Sequence, residues 1–362
     1  GVAIWDRRTQ ELVLARDRPG EKPLYYAHDD RRVLFGSELK SLLQSPDCPR
    51  DLNNDALRAY LTYGYVPCPH SVFSGVHKLP PAHFLRYREG QVSLQRYWQP
   101  SLSPKTTLDE AEASQQLEEL LDRAVASRLV SDVPFGAFLS GGLDSSTVVA
   151  LMARHLGQPV KTFTIGFKEA AYNELDDARR VAKHLGTEHH ELVVEPDAVD
   201  LLQTLVWHFD EPFADSSAVP TFLVSQLARE HVKMVPTGDG GDEMFGGYDR
   251  YLKLMKLESL GAMRGPVAGG LSLAGALAPN PYGDRMARVG ERLRLPFDER
   301  YLSGVAVMRP DIAQRLRPQA GGKDHFRLPA LEQPGSDLGA GDEPLEPAVA
   351  IVLESYLPDA IP

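Results

Sequence analysis

The chain has 362 residues, with 39 lysines and arginines against 50 aspartates and glutamates, a formal net charge of −11 with histidine neutral. That surplus of acid argues against a nucleic-acid or anionic-membrane binder, because both need basic residues to replace released counterions. With 43% hydrophobic and 25% charged residues, disorder and fibres are excluded for the bulk of the chain, and its length suits two domains with separate cores.

From Val2 to about Trp98 the pattern is short and β-rich. Apolar runs at Val2-Ala3-Ile4-Trp5, Leu12-Val13-Leu14, Leu24-Tyr25-Tyr26, Val33-Leu34-Phe35 and Phe84-Leu85-Arg86-Tyr87 are separated by turn residues such as Gly20, Asp29-Asp30 and Glu89-Gly90. The first strand-like run begins at the first residue, without Met or leader, as a segment cut from something longer would. A polar stretch from Pro100 to Thr107 marks the domain boundary, dividing the chain into 1–100 and 107–362. Beyond it, Leu117, Leu120, Leu121, Ala124, Val125 and Leu129 recur at helical spacing.

Strands are then expected at 135–139, 162–167, 191–194 and 232–236, and helices at 145–155, 174–185, 198–209 and 219–230. This alternation predicts an α/β fold with a parallel sheet. After Tyr251 the pattern is helical and weaker. The Gly/Ala-rich stretch 265–279 reads as a loop or a buried helical element, since nowhere does the chain run through about 18 uncharged apolar residues. Residues 318–347, rich in Gly, Pro and charge, read as a mobile loop. Two cysteines, Cys48 and Cys68, are too few for a disulfide framework or a metal cluster and point to a reducing cytoplasm. His189 and His190, near a strand start, read as structural.

The string Phe138-Leu139-Ser140-Gly141-Gly142-Leu143-Asp144-Ser145-Ser146 follows a predicted strand and opens a predicted helix. Two glycines allow close backbone approach, while Ser145, Ser146 and the free N–H groups of the first turn favour an anion at the positive end of the helix dipole. A bare Ser-Gly-Gly is equally a plain helix cap; the whole string in strand–loop–helix context favours a polyphosphate. An acid inside such a nest makes sense with a divalent cation between it and the phosphates, so Asp144 reads as a Mg²⁺ ligand. No Walker A loop competes, because Gly322-Lys323 is followed by Asp.

A second loop, Thr237-Gly238-Asp239-Gly240-Gly241-Asp242-Glu243-Met244-Phe245-Gly246-Gly247-Tyr248, carries three carboxylates and five glycines in twelve residues, more than a solvated turn needs. Asp242 is the candidate second carboxylate for the same Mg²⁺, and Asp239 the one nearer the reacting group. The segment from Phe209 to Pro220 mixes acids, hydroxyls and prolines; Ser216 or Ser217 either caps the next helix or lines a substrate pocket.

Ser140–Ser146 is similar to the PP-loop of ATP pyrophosphatase-type enzymes, and together with Gly238–Tyr248 it closely resembles the glutamine-hydrolysing asparagine synthetase family. Arg16 to Tyr26, Phe35 to Lys40 and Gly64 to Pro69 look like the later, β-rich part of that family's N-terminal-nucleophile glutaminase domain. The resemblance implies an adenine nucleotide α-hydrolase-like domain following a partial glutaminase domain. It implies ATP and Mg²⁺ as cofactors, aspartate with glutamine or ammonia as small-molecule substrates, no nucleic-acid or membrane partner, and a possible homodimer. By position, Ser140, Gly141, Gly142, Asp144, Ser145 and Ser146 would hold pyrophosphate. Phe138, Leu139, Ile165, Thr237 and Gly238 would line the nucleotide site. Asp144 and Asp242 would bind Mg²⁺, and Asp239 would act in forming or aminolysing an acyl-adenylate.

Two departures accompany the resemblance. The family's N-terminal Cys nucleophile has no counterpart, since the chain begins at Gly1 and neither cysteine aligns with it, so no glutamine hydrolysis is expected. The last residues, Tyr356 to Pro362, look like the opening of a family segment that leads to a lysine active in adenylate formation. Related readings on the same scaffold are a β-lactam synthetase-like ligase, another amidotransferase, or a non-catalytic nucleotide-binding protein.

Overall fold

The side-chain alternation of a strand puts Leu12 and Leu14 on one face of the run Glu11–Ala15 and leaves the other open, which fixes how the first sheet packs. The structure, a computed structural model, describes residues 1–101, 104–167, 173–194, 198–278, 280–317, 345–355 and 357–360. It divides into two compact units.

The first unit comprises Gly1–Leu102, Phe209–Ala214 and Asp242–Ile361. Strands β1 (Val2–Asp6), β2 (Glu11–Ala15), β6 (His83–Arg88) and β7 (Gln91–Arg96) form an antiparallel sheet in the order β1-β2-β6-β7. A second sheet runs β4 (Val33–Gly36), β3 (Tyr25–His28), β5 (Val76–Lys78). Leu14, Leu79 and Leu85 are fully buried in one cluster, each contributing roughly 2 kcal/mol. Helices α1 (Leu39–Leu42) and α2 (Asn54–Tyr63) complete this part, α2 opening where Asn53 accepts the Ala56 N–H at 3.1 Å.

The same unit holds the later helices α8 (Gly241–Phe245, from its second residue), α9 (Asp249–Glu258), α10 (Arg264–Leu277), α11 (Tyr282–Arg294), α12 (Phe297–Val305), α13 (Pro310–Leu316), α14 (Leu345–Ser355) and α15 (Leu357–Ala360). Of the stretch 265–279, residues 265–277 are therefore helix, but an exposed one: among its described residues only Ala268 is buried, and 279 lies outside the described residues. It packs on α11 through glycines, a Cβ on Gly275 lying 2.7 Å from the Gly283 carbonyl. Of the expected loop 318–347, residues 318–344 lie outside the described residues and 345–347 open α14.

Cys48 sits in a core cluster with Leu39 and Val76. Burial pushes the Cys68 thiol up to about 12, with Asp359 adding to the rise, so neither cysteine has the environment of a nucleophile.

The second unit comprises Ser103–His208 and Asp215–Gly241. Helix α3 (Glu110–Arg128) starts with a reciprocal Asp109/Glu112 capping box. Then β8 (Ala137–Phe138), α4 (Leu143–His155), β9 (Lys161–Phe167), α5 (Leu175–Leu185), β10 (Glu188–Val194), α6 (Ala198–Phe209, all but its last residue) and α7 (Ala218–Arg229) alternate. The three strands form a parallel sheet in the order β10-β9-β8. The α/β expectation holds.

Its first strand is shorter than the expected 135–139, and 232–236 is no strand. There, one parallel bridge joins Phe135 and Met234, with Lys233 N–H on the Pro134 carbonyl and Gly136 N–H on the Met234 carbonyl. Pro134 and Pro236 have no N–H to extend that ladder.

His189 and His190 lie within β10. His190 stacks on His231 at 4.0 Å between ring centres, and His189 Nδ1 is 2.8 Å from Thr162 Oγ1. Burial pushes the His189 ring below its ordinary 6.5, although Glu191 pulls the other way. A histidine depressed in the folded state contributes stability that is present above 6.5 and is lost as pH falls through the folded value. The urea midpoint of the second unit is expected to drop between pH 7.5 and the acid side of that value, and His189→Gln to flatten the drop. An unchanged pH slope in His189→Gln would contradict this.

Candidate nucleotide site

The carboxyl end of β8 leads straight into the glycine loop. The Leu139 N–H donates to the Phe163 carbonyl at 3.0 Å, and the Thr164 hydroxyl donates back to the Leu139 carbonyl. These bonds anchor the loop to the sheet. Leu139 itself is 1% exposed in the core, so only its backbone can face a ligand. Phe138 is half-buried and packs against the cluster of Phe163, Ala228 and Val232. Ile165 is half-buried on β9.

Within the loop the serines hold the backbone. Ser140 and Ser145 hydroxyls are 2.9 Å apart, Ser145 Oγ accepts the Ser140 N–H at 3.2 Å, and Ser140 Oγ accepts the Gly142 N–H at 3.2 Å. Gly141 takes the left-handed φ of +83°, and a Cβ there would lie 2.6 Å from the Asp177 carbonyl carbon and 2.7 Å from the Ala178 nitrogen. The loop is thus pressed onto the start of α5, a neighbour that no spacing in the sequence announces. Burial, with Asp177 adding to it, raises the Glu174 carboxyl in that same turn.

Helix α4 then opens without any side-chain cap, two residues earlier than its periodicity suggests. Ser146 Oγ is buried and has no hydrogen-bond partner among the described residues. An orphaned hydroxyl beside an uncapped N-terminus of a 13-residue helix fits a bound oxyanion.

The opening of the second loop, Thr237–Gly241, folds onto the first. A Cβ on Gly238 would fall 2.8 Å from Asp144 Cβ and 3.4 Å from the Ser145 nitrogen; one on Gly241 would fall 2.6 Å from Asp144 Oδ2. Two stretches nearly a hundred residues apart therefore meet at the Asp144 carboxylate, with glycines where a side chain would not fit. Thr237 and Asp239 are exposed, and the Thr237 hydroxyl donates to Asp239 Oδ2 at 2.6 Å. Asp242 belongs to the first unit, where its carboxylate lies against Gly247, whose Cβ would be blocked by it.

The segment from Phe209 is split. Phe209–Ala214 belongs to the first unit, and Glu211 is buried there at 6% exposure. In the second unit the Ser217 N–H donates to Asp215 Oδ1 at 2.8 Å, while the Ser217 hydroxyl caps nothing.

The chain matches two family models, "Asparagine synthase" over residues 116–361 and "Glutamine amidotransferase domain" over residues 1–98. It is 32% identical over 315 residues to asparagine synthetase [glutamine-hydrolyzing] 1 of Bacillus subtilis, covering 86% of this chain and 49% of that protein. A putative asparagine synthetase [glutamine-hydrolyzing] of Mycobacterium bovis is 36% identical over 83% of this chain and 47% of its own length. For putative asparagine synthetase [glutamine-hydrolyzing] 2 of Methanocaldococcus jannaschii the figures are 37%, 70% and 50%. The chain spans about half the length of these curated relatives.

Proposed function

This chain belongs to the asparagine synthase family, and from that premise we propose that it carries the ATP-dependent half of asparagine synthesis. The packing of Gly238 and Gly241 on Asp144 is the observation that carries the reading, because it puts the opening of the acidic glycine loop beside the first glycine loop, next to the residue proposed to bind metal. The aspartate side-chain carboxylate attacks the α-phosphorus of ATP, and pyrophosphate leaves with the bridging electron pair. Ammonia then attacks the acyl carbon of the β-aspartyl adenylate, AMP departs, and the nitrogen loses a proton. The relatives are named as glutamine-hydrolysing, and the proposal extends glutamine as the source of the amide nitrogen to this protein.

A leaving pyrophosphate needs donors fixed in advance rather than a protein nucleophile. Ser140, Ser145 and Ser146 hydroxyls and the first N–H groups of α4 are proposed to supply them, Ser140 and Ser145 exchanging their present partners inside the loop for phosphate oxygens and Ser146 gaining a partner it lacks. Mg²⁺, when bound, would supply positive charge to offset that of the leaving pyrophosphate. Asp144 and Asp242 are the residues proposed to hold it. Phe138, Ile165, Thr237 and Gly238 are proposed to flank the adenosine, and Asp239 to serve the acyl step. On this reading residues 1–100 and 107–362 are the two family domains, the protein is cytoplasmic, and it acts as a homodimer. Among the described residues no helix is long and apolar enough to cross a membrane.

Mg-ATP titration of the 362-residue chain, followed by aspartate- and ammonia-dependent pyrophosphate release, tests the proposal. Asp144→Asn is expected to cut Mg-ATP affinity by about tenfold or more with little change in melting temperature. Normal nucleotide handling by Asp144→Asn would refute the metal assignment, and pyrophosphate release without aspartate dependence would refute the acceptor.

A further inference from the structure

The start of α10 and the start of α12 border an open cavity of ≈ 700 Å³ in the first unit, lined by Arg264, Arg294, Arg300, Glu258 and apolar residues including Leu295 and Phe297. Three guanidinium groups face one carboxylate there, in a chain whose net charge is −11. Arg264 places Nη1 on Glu258 Oε2 at 2.6 Å and Nε on the Gly261 carbonyl at 3.2 Å. Arg294 is exposed and has no acceptor or carboxylate partner among the described residues.

Arg300 is the decisive group. It is 3% exposed, and neither its Nε nor its Nη1 makes a hydrogen bond among the described residues. Nη1 is 2.9 Å from Glu258 Oε1, but out of line for donation, so Glu258 shares one carboxylate between two arginines. Burial holds the Arg300 guanidinium below its usual range, Glu258 opposing this and Arg264 adding to it. Arg292, whose Nε donates to the Arg300 carbonyl at 3.2 Å, stands behind as another positive charge. Glu258 alone balances Arg264 and Arg300, and Arg294 adds a further positive charge at the same wall, so an oxyanion in the cavity would supply the negative charge this cluster lacks.

The start of α12 adds to the effect, since that helix has no side-chain cap; α10 adds less, because its Arg264 N–H bonds to the Gly261 carbonyl and Pro266 has no N–H, although its first turn carries no acid. Asp298 and Glu299 occupy the first turn of α12, half-buried, but do not line the cavity. A Cβ on Gly261 or Gly265 would meet nothing within 4 Å, so the mouth has room.

We propose that this cavity binds a small molecule that joins a phosphoryl group to an apolar body. A phosphoryl dianion matches the balance of three arginines against Glu258, with planar guanidinium forks and helix N–H groups suited to its oxygens. Leu295 and Phe297 supply the surface for the apolar part. None of these residues belongs to the glycine-loop site, and the proposal stands whether or not the chain makes asparagine.

Phenyl phosphate is a suitable probe, titrated into the 362-residue chain with the melting temperature followed at ionic strength held constant by sodium chloride. We expect a saturable rise, with half-saturation at lower concentration than for inorganic phosphate and benzoate. Arg264→Gln/Arg294→Gln should raise the half-saturating concentration by about tenfold or more, and the single exposed change Arg294→Gln by about threefold, a safeguard should the double variant not fold. Ser145→Ala should leave it unchanged. No saturable rise, an unaltered curve in both arginine variants, or a loss in Ser145→Ala instead would overturn the proposal, the last by placing the probe at the glycine loop.

Discussion

Replacing Lys78 by methionine is expected to destabilise the first unit by about 3–5 kcal/mol, the cost of stranding buried charge. The Lys78 ammonium sits between Glu211 Oε2 at 3.0 Å and Asp359 Oδ1 at 3.2 Å and also donates to the Val66 carbonyl, so its three hydrogens are all used. Glu211 further accepts the Val72 N–H at 2.7 Å, and Asp359 the Cys68 N–H at 2.7 Å. Burial opposes the charge on Lys78, yet Asp359 and Glu211 outweigh it and hold the ammonium well above its usual range. An exposed pair such as Arg154 with Glu118 gives no more than about 1 kcal/mol when removed, because water replaces the partner.

The variant also carries a pH signature. Burial already raises the Glu211 carboxyl above 4.5, against the pull of Lys78. Without the cation it rises further, and a raised carboxyl contributes stability that is present below 4.5 and lost as pH rises through the folded value. Lys78→Met should therefore be more stable relative to the parent in mild acid than at pH 8, whereas Lys78→Met/Glu211→Gln should narrow the difference. Chemical denaturation across pH checks both, and a loss under 1 kcal/mol would show that the triad is not a stabilising centre.

Gly238→Ala is the second large effect, and it falls on binding rather than on folding. Its added methyl would meet Asp144 Cβ at 2.8 Å, the Asp144 carbonyl carbon at 3.3 Å and the Ser145 nitrogen at 3.4 Å. Two of these atoms are backbone at the start of α4 and cannot rotate away. Overpacking of this kind costs roughly 1–3 kcal/mol, which appears as about 10- to 100-fold weaker Mg-ATP binding if the loops part. Gly157→Ala, where nothing lies within 4 Å, serves as the neutral control. Equal Mg-ATP affinity in Gly238→Ala and the parent would show that the contact of the two loops does not shape the site.

The local signals read well because their causes are local. Glycines between a strand and a helix, a capping box at Asp109 and Glu112, and apolar residues at helical spacing all act within a few residues of one another. The parallel sheet followed from alternation alone, whereas the expected strand at 232–236 failed on a pairwise matter, the missing N–H groups of Pro134 and Pro236. Leu139 was legible as part of the loop; that its side chain turns into the core depends on Val149, Met152 and Ala178 in the same cluster.

Taken alone, the amino-acid sequence determined the chemistry on offer: an anion-binding strand–loop–helix, an acidic glycine loop and a β-rich N-terminal region. Tertiary structure alone decided which distant residues share a charge. Lys78 meets Glu211 and Asp359 across 133 and 281 positions, and no periodicity spans such separations. It likewise decided that Phe209–Ala214 leaves the run of the second unit for the first, and that Arg300 is buried beside a cavity rather than solvated like most arginines. Burial, which sets the cost of a charge, is a property of the whole packed unit and is absent from any short stretch of chain.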